Sequence, residues 1–226
     1  MSSTTERRLR ALRGKGLNFE PRPVEEYTPA RGWHADALSQ PLPRGSWEVA
    51  RRLAEAYCMA DPVLVQATWD HDAPLLGRDM LLKLRLYRVL SVYAGVRVTR
   101  VWEETRGGDR VFGFEYGTLT GHVERGRMDY EVRERGDGAV DFRIHAHSRP
   151  SGEGLPWVRL GFRLFGRREQ LRFYSRCCER IARLTARELG LPEDPPSPAV
   201  RDRGATRGRA RPCARASARA WPGSRP

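Results

Sequence analysis

His122 and Glu124 lie two residues apart in a run that alternates like a β-strand, which puts both side chains on one face. An imidazole and a carboxylate so placed can exchange a proton, share an ion or fix the polar end of a bound molecule. Period-two alternation in the neighbouring runs brings Tyr116, Thr118, Tyr130 and Ser148 to the same face, with Phe114 and Phe142 as its apolar ground. These eight residues are the candidate ligand contacts, and no one of them is singled out as catalytic. The bland alternative is a buried hydrogen-bond network holding a bend around Gly117 and Gly121, because buried His and Glu need partners whether or not they act on anything. A zinc site needs at least three protein ligands. His122 and Glu124 supply two, and His145 and His147 take the opposite phase, so no metal is expected. Asp70-His71-Asp72 reads as a solvated turn, since neighbouring residues in a loop rarely all reach one ion. No cofactor is expected either: the chain has no Gly-x-Ser-x-Gly elbow, no P-loop and no dinucleotide fingerprint.

The elements that must position this group are strands. Phe112, Phe114, Tyr116 and Thr118 alternate with Gly113, Glu115 and Gly117. Met128, Tyr130 and Val132 alternate with Arg127, Asp129, Glu131 and Arg133, and Val140, Phe142, Ile144, Ala146 and Ser148 with Asp141, Arg143, His145 and His147. Carrying the second phase back through Gly126 puts Glu124 and His122 inward; a bulge at Gly126 would reverse it. Gly136-Asp137-Gly138 is a hairpin signal. Two further strands are predicted over Asp79–Val89 and Val92–Glu103.

Helices flank this meander. Ser46 can cap a helix over Trp47–Met59, and Asp61-Pro62 starts a second short one. A long helix runs from about Phe162 to Leu189, stopped by Gly190 and Pro192, with Leu171, Tyr174, Cys178, Ile181 and Thr185 as its apolar stripe. The prediction is a single α+β domain over residues 16–190: a curved antiparallel sheet of five or more strands gripping a long C-terminal helix. Residues 1–15 read as a basic flexible arm, residues 16–45 as an extended segment anchored by Phe19 and Trp33, and residues 191–226 as a disordered Pro/Ala/Arg-rich tail.

The net charge of +13 suggests nucleic acid until it is partitioned. Residues 1–15 carry +4 and residues 201–226 carry +7, leaving +2 for the body. A groove for a phosphate backbone would concentrate charge on the folded face, so nucleic acid is not expected at the core, and the tail is left a non-specific contact. Lys15 and Lys83 are the only lysines, an Arg bias that fits GC-rich coding. Cys58, Cys177, Cys178 and Cys213 show no CxxC spacing and read as reduced thiols, which with the absence of an apolar leader points to the cytoplasm. No apolar run approaches the roughly 20 residues a membrane span needs.

Gly113-Phe114-Glu115-Tyr116-Gly117-Thr118-Leu119-Thr120-Gly121-His122-Val123-Glu124-Arg125-Gly126 resembles the signature of the bacterial and plant "domain of unknown function nineteen-ninety" family. Ser148-Arg149-Pro150, Arg159 to Gln170, and Pro74 to Met80 resemble further motifs of that family, so the likeness spans roughly Leu17 to Leu189. Many relatives carry two acidic residues after the last signature glycine, where this chain has Arg127 and Met128. The architecture resembles the helix-grip fold of the START and birch-pollen-allergen superfamily, which implies a cavity between sheet and helix. The family resemblance implies kinship and fold without a reaction. Three function classes follow: binding of a small apolar ligand in that cavity, a cofactor-free enzyme using the His/Glu/Tyr cluster, and an RNA-associated or structural protein working through its Arg-rich surface. Oligomeric state is left open.

Overall fold

A computed structural model of the chain describes residues 3–86, 90–152, 167–192 and 199–201. Helix α1 spans Ser3–Arg10, strand β1 His34–Leu42, helix α2 Trp47–Glu55, β2 Val65–Trp69, β3 Asp79–Leu86, β4 Leu90–Arg106, β5 Asp109–Thr118, β6 Glu124–Glu134, β7 Val140–Pro150, helix α3 Arg167–Glu188 and β8 Val200–Arg201. The strands form one antiparallel sheet in the order β2-β3-β4-β5-β6-β7-β1-β8. Tyr174, Cys177, Cys178, Ile181, Ala182 and Thr185 bury one stripe of α3 in the same core as the inner face of the sheet and as Trp47, Ala50 and Ala54 of α2. The sheet thus grips the long C-terminal helix, the expected α+β arrangement.

The core is built in cross-strand rows, because antiparallel pairing sets residues of one face directly opposite each other. Phe112, Val132 and Phe142 make one row, Phe114, Tyr130 and Ile144 the next, and Tyr116, Met128 and Ala146 the third. All are buried. Pairing of β6 with β7 runs without a break from Glu134 opposite Val140 to Glu124 opposite Pro150, so no bulge occurs at Gly126 and the inward phase of Glu124 carries through.

Several expectations change. Residues 1–15 are no flexible arm: α1 docks on the outer face, where Leu12 is buried with Leu81 and Leu119. Arg97, held by Asp79 at 2.6 and 3.0 Å, donates to the Leu12 and Lys15 carbonyls and ties the segment down. The extended segment 16–45 contains β1, disguised by Pro41. That strand pairs with β7 along its length but with β8 only at Leu38 and Ser39, so Pro41 has no ladder bond to lose on its open side. Phe19, Tyr27 and Trp33 cover the outer face near His147, so the face expected to be wet is half covered. Ala199 packs against the core and Val200–Arg201 pair with β1, so the tail is ordered at these residues; its remainder beyond them lies outside the described residues.

The helices differ in detail as well. Ser46 has near-helical ψ of 1° and its hydroxyl makes no cap bond. Helix α2 stops at Glu55, short of Met59, because Tyr57 takes φ 55° and the Cys58 N–H closes back to the Leu53 carbonyl at 2.9 Å. That closure normally uses glycine. Asp61-Pro62 begins one turn and leads straight into β2, with Val63 pointing out. Helix α3 ends as predicted: Gly190 takes φ 67° and the Leu191 N–H reaches the Ala186 carbonyl at 2.9 Å. Its expected start near Phe162 lies outside the described residues.

Candidate functional site

One more row follows Tyr116, Met128 and Ala146, and it is made of small residues. Gly126 stands opposite Ser148, and Thr118 accepts the Gly126 N–H at 2.9 Å. Where the large side chains stop, the row of the sheet that faces the first turns of α3 is made of Thr118, Gly126 and Ser148. A cavity of ≈110 Å³ opens there between sheet and helix. Leu64, Val65, Leu82, Leu84, Met128 and Phe173 give it apolar walls, and Tyr116, Thr118, His122, Glu124, Ser148, Gln170 and Tyr174 bring polar atoms to it. Gly126 admits no substitute: at its φ of 156° a Cβ would lie 2.0 Å from the His147 carbonyl oxygen.

The loop carrying His122 is held from outside. Leu17 bridges Leu119, the Thr120 N–H reaches the Gly16 carbonyl at 3.0 Å, and Asn18 Nδ2 donates to the Glu124 carbonyl at 2.9 Å. Thr118 donates its hydroxyl to Asn18 Oδ1 at 2.6 Å. His122 is buried, and its Nδ1 accepts the Glu124 N–H at 3.0 Å, so in the neutral ring the proton sits on Nε2. Burial pushes the imidazole down to about 4. The two side chains are therefore not a proton-sharing pair; the imidazole bonds the glutamate's backbone.

Glu124 is oriented from α3. Arg167 grips Asp36 of β1 with two bonds of 2.5 Å and donates to Gln170 Oε1 at 2.7 Å. A guanidinium cannot accept, so the amide must turn its nitrogen the other way. Gln170 Nε2 accordingly donates to Glu124 Oε1 at 2.9 Å and to Ser148 Oγ at 2.8 Å. Desolvation outweighs Arg167 and the Ser148 hydroxyl and pushes the Glu124 carboxyl up to about 7. Around neutral pH the glutamate, not the histidine, is the group that can take or give a proton.

Of the eight predicted residues, Tyr116, Thr118, His122, Glu124 and Ser148 line the cavity. Phe114, Tyr130 and Phe142 do not. They belong to the filled rows, where the Tyr57 hydroxyl meets that of Tyr130 at 3.2 Å and the Phe114 and Phe142 rings pack on the Tyr130 ring at 5.2 and 6.1 Å. Burial pushes the Tyr116 phenol up to about 12, and its hydroxyl donates to Met128 Sδ at 3.5 Å. Gln170 and Tyr174 are the polar contributors that strand alternation could not find. Tyr174 sits on the predicted apolar stripe of α3, yet its buried hydroxyl has no partner among the described residues. Among the described residues no group of three or more His, Cys, Asp or Glu is placed to hold a metal, and no helix is long and apolar enough to cross a membrane.

No curated protein matches the sequence. Solved structures similar to it include Ara h 8.0201 (TM-score 0.40, 9% identity, 66% of this chain and 98% of that one). A point mutant of norcoclaurine synthase from Thalictrum flavum matches with TM-score 0.45 and 10% identity over 70% of this chain and 95% of that one. The hypothetical protein jhp0584 from Helicobacter pylori matches with TM-score 0.47 and 5% identity over 73% and 95%. At these scores and identities they carry no argument about what this chain binds. Kinship is settled at the level of sequence, where the model of the family described as "Domain of unknown function (DUF1990)" matches residues 20–180, and the chain belongs to that family.

Proposed function

We propose that the protein binds a small, mainly apolar molecule in the cavity between the sheet and α3, with the polar end of the molecule at Glu124 and Ser148. The observation that carries this reading is the division of the cavity wall: aliphatic and aromatic side chains on most of it, hydrogen-bonding groups gathered where α3 meets β6 and β7. Ligand pockets commonly combine an apolar lining with a few convergent polar groups. A core packed only for stability has no need of a half-buried carboxylate beside a phenol without a partner among the described residues.

Native mass spectrometry of the purified chain, with titration of an environment-sensitive apolar dye, tests the reading. A co-purified small molecule, or dye binding abolished by Leu84→Trp at the cavity wall, supports it. An empty protein that leaves the dye unbound refutes it. The second reading, a cofactor-free acid/base enzyme, is favoured by one observation, the Glu124 carboxyl at about 7. A general acid or base works best with its pKa near the operating pH. Turnover that follows one ionisation near that value and vanishes in Glu124→Gln is the expected mark of that chemistry.

A further inference from the structure

Charged side chains approach the cavity from three elements, and Arg127, Arg167 and Glu169 are paired elsewhere. Arg127 of β6 belongs to the outer face, where it pairs with Glu115 at 2.6 Å and Asp129 at 3.1 Å. Arg85 of β3 also borders the cavity, with no ion pair among the described residues, and shares the phase of Leu81, which packs on the outer face with Leu12. Arg167 of α3 is held by Asp36, and Glu169 pairs with Arg172 at 3.6 Å. Glu124 is the unpaired acid: among the described residues no Lys or Arg forms an ion pair with it. Its immediate partners, Gln170 and Ser148, are neutral.

At the carboxylate, the unused hydrogen-bonding capacity is for donors. Both hydrogens of the Gln170 amide are committed, to Glu124 Oε1 and Ser148 Oγ. What remains is acceptor capacity on Glu124 and Ser148; on the same wall the Tyr174 hydroxyl, which can donate or accept, has no partner among the described residues, and His122 presents an Nε2–H. A ligand that completed this set would bring donors and a positive charge. An ammonium has three donors and no acceptor.

We infer that the cavity selects a small primary amine, its ammonium seated on the Glu124 carboxylate beside the Ser148 and Tyr174 hydroxyls and its apolar body against Leu82, Met128 and Phe173. This rests on the ligand-binding reading above and names the class of ligand. The size agrees: a cavity of ≈110 Å³ is on the scale of one small ring. So does the electrostatics. The carboxyl is held up to about 7 because burial outweighs Arg167, while Asp36 adds to the repulsion. An adjacent cation would favour the ionised form. Amine binding then expels a proton below that pH. It should strengthen by up to about tenfold per pH unit from pH 5 toward 7 and flatten above it. His122, near 4, is neutral throughout this range.

Calorimetric titration of the full chain at pH 8 with benzylamine, benzyl alcohol and benzoate, three probes of nearly one shape, tests the assignment. Benzylamine is expected to bind at least about tenfold more tightly than either other probe. Glu124→Gln should erase that preference by weakening benzylamine at least about tenfold more than benzyl alcohol. Tyr174→Phe, which alters no charge, should weaken benzylamine more than benzyl alcohol. Benzyl alcohol or benzoate binding as tightly as benzylamine, or a preference that survives Glu124→Gln, overturns the amine assignment and leaves the cavity reading standing. If none of the probes binds and the apolar dye is also excluded, the cavity reading itself has failed.

Discussion

Replacing Glu124 by Gln should make the protein more stable at alkaline pH and leave it no more stable in acid. The folded state holds this carboxyl up to about 7 from an ordinary 4.5. A raised carboxyl means that the folded protein binds the proton more tightly than the unfolded chain. Its contribution is therefore favourable below about 4.5 and is lost as pH rises toward 7. A shift of this size corresponds to roughly 3 kcal/mol between pH 4.5 and pH 8. Glutamine keeps an acceptor for Gln170 Nε2 and presents an N–H to Ser148, so mispairing should cost about 1 kcal/mol. The variant should be up to about 1 kcal/mol less stable than the parent at pH 4.5 and about 2 kcal/mol more stable at pH 8. Urea unfolding at both pH values reads this as a change in the midpoint difference of roughly 1 M or more at unchanged slope. Because His122, His147 and Asp129 titrate alike in both proteins, subtraction isolates position 124. A difference that stays constant or shrinks with rising pH would show that Glu124 ionises freely in the folded protein and would remove the desolvated-carboxylate argument.

Gly126→Ala should lose at least about 2 kcal/mol, or fail to fold, because the new Cβ meets the His147 carbonyl; thermal melting checks this, and a neutral result would mean that β6 and β7 separate easily at the site. Leu12→Ala should cost about 2–3 kcal/mol in chemical denaturation, whereas a truly flexible arm would tolerate it without effect. Asp36→Asn breaks the grip on Arg167 and leaves a half-buried guanidinium without its counter-charge. It should cost about 2–3 kcal/mol and weaken dye binding, since Gln170 loses the neighbour that sets its direction.

The inward phase of Glu124 was legible because β6 pairs with β7 without a slip, so period two carried the assignment from Met128 back through Gly126. The long helix was legible from its stripe and from Gly190. The void was not. The alternation pattern treats Thr118, Gly126 and Ser148 as three entries on separate strands, and only the register shows them to be neighbours whose small size leaves room. Gln170 escaped notice because its role depends on Arg167, which depends on Asp36 some 131 residues away in sequence. Tyr57 gave no local signal either. A tyrosine in a left-handed conformation costs about 1–2 kcal/mol, and it is held there by burial of its ring and the bond to Tyr130. Strand β1 was hidden because proline discounts a strand, a rule that fails where one side of the strand is open.

The glycines on the outer face bear on how the domain should be cut. Gly95 and Gly117 have no Cβ because Leu12 and Leu17 lie where one would be, at 2.6 and 2.7 Å. Through them the chain from Leu12 to Asn18 settles into a shallow furrow and fastens the ends of β5 and β6 on either side of the His122 loop. The family match begins at residue 20, just after this fastening. A fragment begun at residue 20 and kept through the end of α3 would retain every residue that lines the cavity and lose the clasp that keeps the Thr118 and Glu124 ends of their strands together. Weak binding by such a fragment would report a missing N-terminal strap, not a missing ligand site.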